Sequence, residues 1–330
     1  SLVEQMYGDF RDYSTHNGFK VAKHCHRIYG GKEKSNTADV VISTWQSIYK
    51  FPQKWFEQFD VAYGDEAHLF KAKSLMTLMD KCKNARFRIG TTGTLDGTKT
   101  HKLVLEGVFG PVFKVTSTKK LMDKKELAEL KIICMVIGYP DEQRKLVSKM
   151  NYQEEMDFLV SNPERNDILA KLASSQKGNT LVLYQYVEKH GEHLHKLISG
   201  YAPDREVHFV WGGTDTEQRE EIRYLTEQSN DTIIVASYGT FSTGINIRNL
   251  HNVVFASPSK SRIRNLQSIG RGLRKGDQKT TCNLFDIGDD LSWKSKKNYT
   301  LNHVLERIKL YNEENFDYKV IRISSDGTKL

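Results

Sequence analysis

The sequence predicts an α/β protein of two tandem units, each a parallel sheet covered by helices, and three observations carry that prediction. First, short apolar runs punctuate the second half: 180–184 (TLVLY), 207–211 (VHFVW), 232–236 (TIIVA), 252–256 (NVVFA) and 282–287. Second, helical patterns such as 166–174 and 217–228 separate them. Strands that are apolar throughout, alternating with helices, argue for sheets buried on both faces. Third, the first half repeats the theme with 39–43 (DVVIS), 59–63 (FDVAY) and 87–91 (FRIGT). The 330 residues suffice for two domains at roughly 150 residues each.

The order of elements suggests boundaries. Residues 1–118 form the first unit, 119–140 a charged linker and 141–330 the second unit. The segment 116–131 (TSTKKLMDKKELAELK) follows the turn-like Phe109-Gly110-Pro111 and is rich in lysine. Near the end, Leu301, Val304, Leu305 and Ile308 fall on one helical stripe, and a strand-like run, 318–323, follows.

Composition narrows the function classes. Hydrophobic residues at 38% and charged residues at 27% fit a globular protein and exclude a disordered chain. No stretch approaches the ~20 apolar residues that cross a bilayer, so no membrane partner is expected. The first residues, SLVEQMYGDF, lack the pattern of a secretory signal, and a cytoplasmic protein is expected. Cys25, Cys82, Cys134 and Cys282 are far apart, which signals neither a zinc site nor a disulfide framework. The net charge of +8 suits a polyanionic partner such as nucleic acid, although it is weak evidence alone.

Four short patterns carry the chemistry. Asp65-Glu66-Ala67-His68 directly follows an apolar strand. Carboxylates at the carboxyl end of a parallel strand face the crevice where α/β proteins bind ligands. Two adjacent ones suit nucleotide hydrolysis, one holding Mg²⁺ and the other orienting and deprotonating water. Thr92-Gly93-Thr94 follows the next strand; as a bare tripeptide it is a turn, and its position gives it weight. Ser242 to Asn246 (STGIN) places a glycine beside hydroxyl and amide side chains, where backbone N–H groups can approach a phosphate. Lastly, 267–274 reads QSIGRGLR. On a helix, Gln267, Arg271 and Arg274 fall within ~60° of one another, with Leu266, Ile269 and Leu273 nearly opposite. Two fixed guanidiniums suit a γ-phosphate, and a solvated basic face is an equal alternative. Upstream, Thr44-Trp45-Gln46 ends a strand and offers donors to a nucleic-acid backbone. Trp45 either stacks on a base or is buried.

Taken in order, DEAH, TGT, STGIN and QxxGRxxR resemble the motifs of superfamily-two helicases. The resemblance spans essentially the whole chain. SLVEQM looks like the helix after the family's first DNA-contacting motif, and TLVLYQYVEKHGEHL like the opening strand and helix of its second lobe. TWQSIYKFPQKWFEQFD, IIVASYGTFSTGINIRNLHNVV and QSIGRGLRKG look most like the recombination and repair helicases of T-even phages. The resemblance implies two RecA-like lobes with ATP in the cleft between them. Asp65 would coordinate Mg²⁺ and Glu66 would activate water. His68 with Thr92, Gly93 and Thr94 would couple nucleotide state to DNA. Gly244, Asn246 and Gln267 would meet the nucleotide, Arg271 and Arg274 would act as arginine fingers, and Thr44, Gln46, Gln185 and Thr243 would touch DNA. The partner implied is branched DNA or a single-strand/duplex junction, with RNA–DNA hybrids as further substrates, acted on by a monomer in a bacterial host's cytoplasm.

One element of the family is missing from the 330 residues. No G-x-x-x-x-G-K-[ST] loop occurs; the nearest candidate, Gly30-Gly31-Lys32-Glu33, has Glu33 at the hydroxyl position and His26 at the first glycine. The expectation is therefore a first lobe that is incomplete, in a fragment of a longer product with little or no ATP hydrolysis of its own. Two alternatives remain open: a non-catalytic nucleic-acid-binding module derived from a helicase, and the motor subunit of a restriction enzyme.

Overall fold

The computed structural model describes every residue except 1, 31–37, 94, 96–97, 245–246, 260, 262–267, 271–272, 274–279 and 329–330, and the side chains of Leu2 and residues 242–244 are likewise undescribed. The chain divides into two compact units, Ser1–Phe113 and Lys114–Leu330.

In the first unit, β1 (Cys25–Ile28) pairs in parallel with β2 (Val40–Ser43). Separately, β3 (Val61–Gly64) pairs in parallel with β4 (Phe87–Gly90), with Val61 opposite Phe87 and Gly64 opposite Gly90. One face of the β3–β4 ribbon packs on Phe70, Leu75, Met79 and Leu105, with Ala62 and Phe109 at the margin. The period-two alternation sends Val61, Tyr63, Phe87 and Ile89 to the other face, where all four are about half exposed. The helix Lys99–Phe109 supplies Phe109; it begins at Thr98, whose side chain accepts from the His101 N–H, and ends at Gly110, where φ is +89°.

In the second unit, seven strands form one parallel sheet: β5 (Glu129–Gly138), β6 (Thr180–Tyr184), β7 (Val207–Val210), β8 (Ile233–Ser237), β9 (Asn252–Phe255), β10 (Thr281–Asp290) and β11 (Tyr318–Ser324). Their order is β11-β5-β10-β9-β6-β8-β7. Alternation along each strand divides the core between two faces. Leu181, Ile234, Val253 and Leu284 pack on one, and Val182, Val235, Val254 and Phe285 on the other. Burying a large aliphatic side chain of this kind contributes about 1.5–3 kcal/mol. Local chemistry starts the covering helices. Asn151 and Glu154 form a capping box ahead of Tyr152–Ser161, and Asn162 caps Pro163–Ser175, which has proline in its first turn.

Residues 119–140, read from the sequence as a linker, instead supply most of a short helix (Thr118–Asp123) and the strand β5. The charged stretch conceals the run Ile132 to Ile137, whose Ile132, Cys134 and Ile137 are buried between β10 and β11. The contact boundary falls earlier, after Phe113.

Two buried ion pairs hang from β10. Arg165 donates to Asp289 from Nε (2.8 Å) and Nη2 (3.1 Å), and Tyr139 donates its hydroxyl to the same carboxylate. Arg307 and the Tyr311 hydroxyl do the same for Asp286. Burial alone would push the Arg165 guanidinium down, and the charge of Asp289 more than reverses it.

Candidate active site

The acidic tetrapeptide lies where its strand placement predicts, at the carboxyl end of β3. Gly64 O accepts from the Thr91 N–H (3.0 Å), extending the β3–β4 ladder, and the Ala67 N–H then donates to Thr91 O (2.8 Å). Between these two bonds the chain turns through Glu66, whose φ of 48° and ψ of 49° are left-handed. A non-glycine residue held there stores strain of about 1–3 kcal/mol, which concentrates at functional sites. Two glycines make the turn possible. A Cβ on Gly64 would stand 2.8 Å from the Phe70 ring, and one on Gly90 would stand 2.9 Å from Phe109. The aromatic rings therefore press directly against the strand ends that carry Asp65 and Thr91.

Asp65 is exposed, and its Oδ1 accepts from the Glu66 N–H (2.9 Å) and from the Thr91 hydroxyl (3.3 Å). Thr91 in turn shares a 2.8 Å hydrogen bond with the Tyr63 hydroxyl. His68 is buried, and its Nδ1 lies 3.2 Å from Glu66 Oε2 and 3.0 Å from Thr92 Oγ1. The histidine thus joins the acidic strand end to the Thr92 turn. Its own carbonyl meets His101 Nε2 at 2.8 Å. Gly93 is exposed, and Thr94 lies outside the described residues.

This donor set suits a hard cation. One exposed carboxylate, with Oδ2 engaged by no described residue, matches the habit of Mg²⁺, which takes one or two carboxylates and fills its shell with water and phosphate oxygens. No cluster of three or more metal-ligating side chains occurs among the described residues, so an all-protein cage is not built here.

In the second unit, Ile269 and Leu273 are buried in the core, as the helical reading of 267–274 requires, and the Leu273 carbonyl accepts from the Ala128 N–H (2.9 Å). Gln267, Arg271, Arg274 and Asn246 lie outside the described residues. Thr243 and Gly244 close the helix Tyr238–Gly244, which follows β8 and is anchored by Tyr238 and Phe241. Gln185 is exposed at the end of β6, and its N–H donates to Ser257 Oγ (3.0 Å). In the first unit, Thr44 Oγ1 pairs with Ser47 Oγ (2.9 Å) and Gln46 is exposed. Trp45 is 38% exposed and meets Tyr49 edge-on, so it is not buried.

Sequence reasoning missed Tyr63 and Thr91, because a strand-end hydroxyl pair has no motif of its own. It also missed Ser257 and the buried His190, whose Nδ1 lies 2.9 Å from Ser257 Oγ and whose Nε2 lies 3.1 Å from Asn166 Oδ1. Burial, then the nearby charges of Arg165 and His193, hold His190 well below its usual value of 6.5. Among the described residues, no helix is long and apolar enough to cross a membrane.

Comparison with known proteins agrees with the ordered motifs. Residues 1–97 match the family model of the type III restriction enzyme res subunit, and residues 164–276 match the helicase conserved C-terminal domain. The ATP-dependent DNA helicase UvsW of Enterobacteria phage T4 is 37% identical over 96% of this chain, which spans 65% of that protein's length. The crystal structure of T4 UvsW superposes with a TM-score of 0.53, covering 98% of this chain and 66% of UvsW. Two more distant structures share the fold. A fragment described as a type I restriction HsdR subunit from Vibrio vulnificus has a TM-score of 0.70 at 18% identity, covering 96% of this chain and 57% of its own. Dbp5 of S. cerevisiae has 0.59 at 12%, covering 97% and 74%. With the acidic strand end, the threonine turn and the buried Ile269 and Leu273 in family order, the chain has the α/β fold of the superfamily-two helicases and is similar to them in sequence.

Proposed function

We propose that these residues are the motor portion of an ATP-dependent DNA helicase or translocase that remodels branched DNA in recombination, repair and replication. Fork regression, branch migration and R-loop unwinding are the activities this reading assigns. The observation that carries it is the linkage at the end of β3, where Asp65 is tied to Thr91 and the Glu66–His68 turn is tied to Thr92. Bound ATP–Mg²⁺ supplies the phosphoryl group and a counter-charge for it. Asp65 holds the metal, Glu66 accepts a proton from the attacking water, and His68 passes the position of that turn to the Thr92–Thr94 segment. Arg271 and Arg274 neutralise phosphate charge, with Gly244, Asn246 and Gln267 fixing the nucleotide. Thr44, Gln46, Gln185 and Thr243 hold the DNA backbone. The setting is a bacterial host's cytoplasm, and the acting species is a monomer.

The 330 residues contain no G-x-x-x-x-G-K-[ST] loop, so this reading expects them alone to hydrolyse ATP weakly or not at all. DNA-stimulated phosphate release tests the assignment. A form that includes such a loop should turn over, and Glu66→Gln should slow it by roughly 10²–10⁴-fold, the range for losing a general base. A Glu66→Gln form as fast as its parent contradicts the role given to Glu66. The match of residues 1–97 to a restriction res subunit favours a second reading, the motor of a restriction enzyme; ATP-dependent DNA cleavage would establish it.

A further inference from the structure

Resting on the DNA-binding reading above, we propose that Trp211 is a stacking platform for an unpaired nucleobase on the second unit. Trp211 directly follows β7 and is 43% exposed. Its placement is constructed rather than incidental. The six-membered ring of the indole lies against Gly213, where a Cβ would stand 2.4 Å from Cη2. Only glycine lets the ring lie so close to the backbone. The turn beneath is clamped from both ends. The Trp211 N–H donates to Thr214 Oγ1 (3.0 Å), the Thr214 N–H donates to Trp211 O (3.1 Å), and Arg219 Nη2 donates to the carbonyls of Trp211 (3.2 Å) and Gly212 (2.9 Å). No aromatic ring among the described residues stacks on Trp211, whereas Trp55 is enclosed edge-on by Phe51, Phe56 and Phe59.

The surroundings select the occupant. Carboxyl ends of parallel strands are where α/β proteins receive ligands. Val210 on β7 is in register with Ala236 on β8, and the Tyr184 hydroxyl at the end of β6 donates to Val210 O (3.2 Å). Trp211 therefore shares one sheet edge with Gln185 and with the helix that carries Thr243. Arg219 holds its guanidinium on the backbone carbonyls of this turn, and Asp215, the nearby carboxylate, is engaged with the Gln218 N–H as a helix cap. A rigid indole beside a cation suits a base whose phosphate lies close by, and stacking accepts any base. A duplex keeps its bases stacked on one another, so the platform favours single strands.

Tryptophan fluorescence and anisotropy of a labelled oligonucleotide test this on the 330-residue chain. A short oligodeoxythymidylate should quench emission in the parent and leave the Trp211→Phe form largely unquenched. Trp211→Ala should weaken single-strand binding roughly fivefold or more, the loss expected of one base–aromatic stack, with Trp211→Phe near the parent. Affinity for a blunt, fully paired two-strand duplex should change by less than about twofold, since its bases are not free to stack. Gly213→Ala keeps the indole but displaces it, and should weaken single-strand binding as well. Equal single-strand affinity of parent and Trp211→Ala, or equal losses on single strand and duplex, overturns the platform and leaves DNA binding intact. A parent chain that binds no DNA overturns the DNA-binding reading and the platform together.

Discussion

The two units solve the same architectural problem to different degrees. In the second unit, strands β6, β8, β9 and β10 are buried on both faces, and the two buried carboxylates of β10 are paired with arginines: Asp289 with Arg165, Asp286 with Arg307. In the first unit, the described strands form two separate two-stranded ribbons, and Val61, Tyr63, Phe87 and Ile89 stay about half exposed. Yet the acidic pair, the left-handed Glu66 and the His68–Thr92 link all sit on the less buried unit. Packing holds the second unit in one arrangement, while a few polar contacts and two aromatic rings shape the chemistry of the first. A site shaped by few contacts can change conformation at low cost, as a part that responds to bound nucleotide must.

The comparison breaks if the second unit's buried pairs prove dispensable. Asp289→Ala leaves Arg165 charged and enclosed, and should cost about 3–5 kcal/mol in denaturant unfolding. A loss below about 1 kcal/mol would mean that water reaches the guanidinium. In the first unit the corresponding lever is close approach: Gly90→Ala places a Cβ against Ala67 and Phe109 and should cost about 1–3 kcal/mol, read by thermal unfolding of that unit.

Acid sharpens the contrast further. His190 is held neutral, its folded value lying below its unfolded value, so its contribution is complete above about pH 6.5 and is lost as pH falls toward the folded value. The second unit should lose up to about 1.4 kcal/mol per pH unit in that window, and His190→Gln should flatten the slope. A pH profile identical in parent and variant would show that His190 protonates freely. The smallest effect belongs to a surface pair of the first unit. Lys102–Glu106, at 3.6 Å and partly exposed, should contribute less than about 0.5 kcal/mol in a double-mutant cycle.

Legibility in the sequence followed the same division. Strands β6, β8 and β9 are apolar along most of their length and flanked by helical patterns, so the second sheet could be read almost strand by strand. Strand β5 could not, because the lysines that precede Ile132 (Lys124, Lys125 and Lys131) make a buried strand resemble a linker. Asp65, Glu66, His68 and Thr92 were legible because their order along the chain mirrors their positions at strand ends. Tyr63, Thr91 and Gly90 were not, since their roles depend on which rings and strands meet in space. The tail was legible as helix and strand, but nothing in its pattern revealed that Arg307 and Tyr311 reach Asp286. Arg271 and Arg274, the strongest basic signal, lie outside the described residues and rest on family order.

DNA-stimulated ATP hydrolysis tests the account most directly, measured on the 330-residue chain beside a form extended to include a G-x-x-x-x-G-K-[ST] loop. The account predicts turnover in the extended form alone, slowed by roughly 10²-fold or more by Glu66→Gln and lowered by Arg271→Ala. If neither form hydrolyses ATP while both bind branched DNA, the acidic pair and the arginines are idle, and the chain is a binding module rather than a motor.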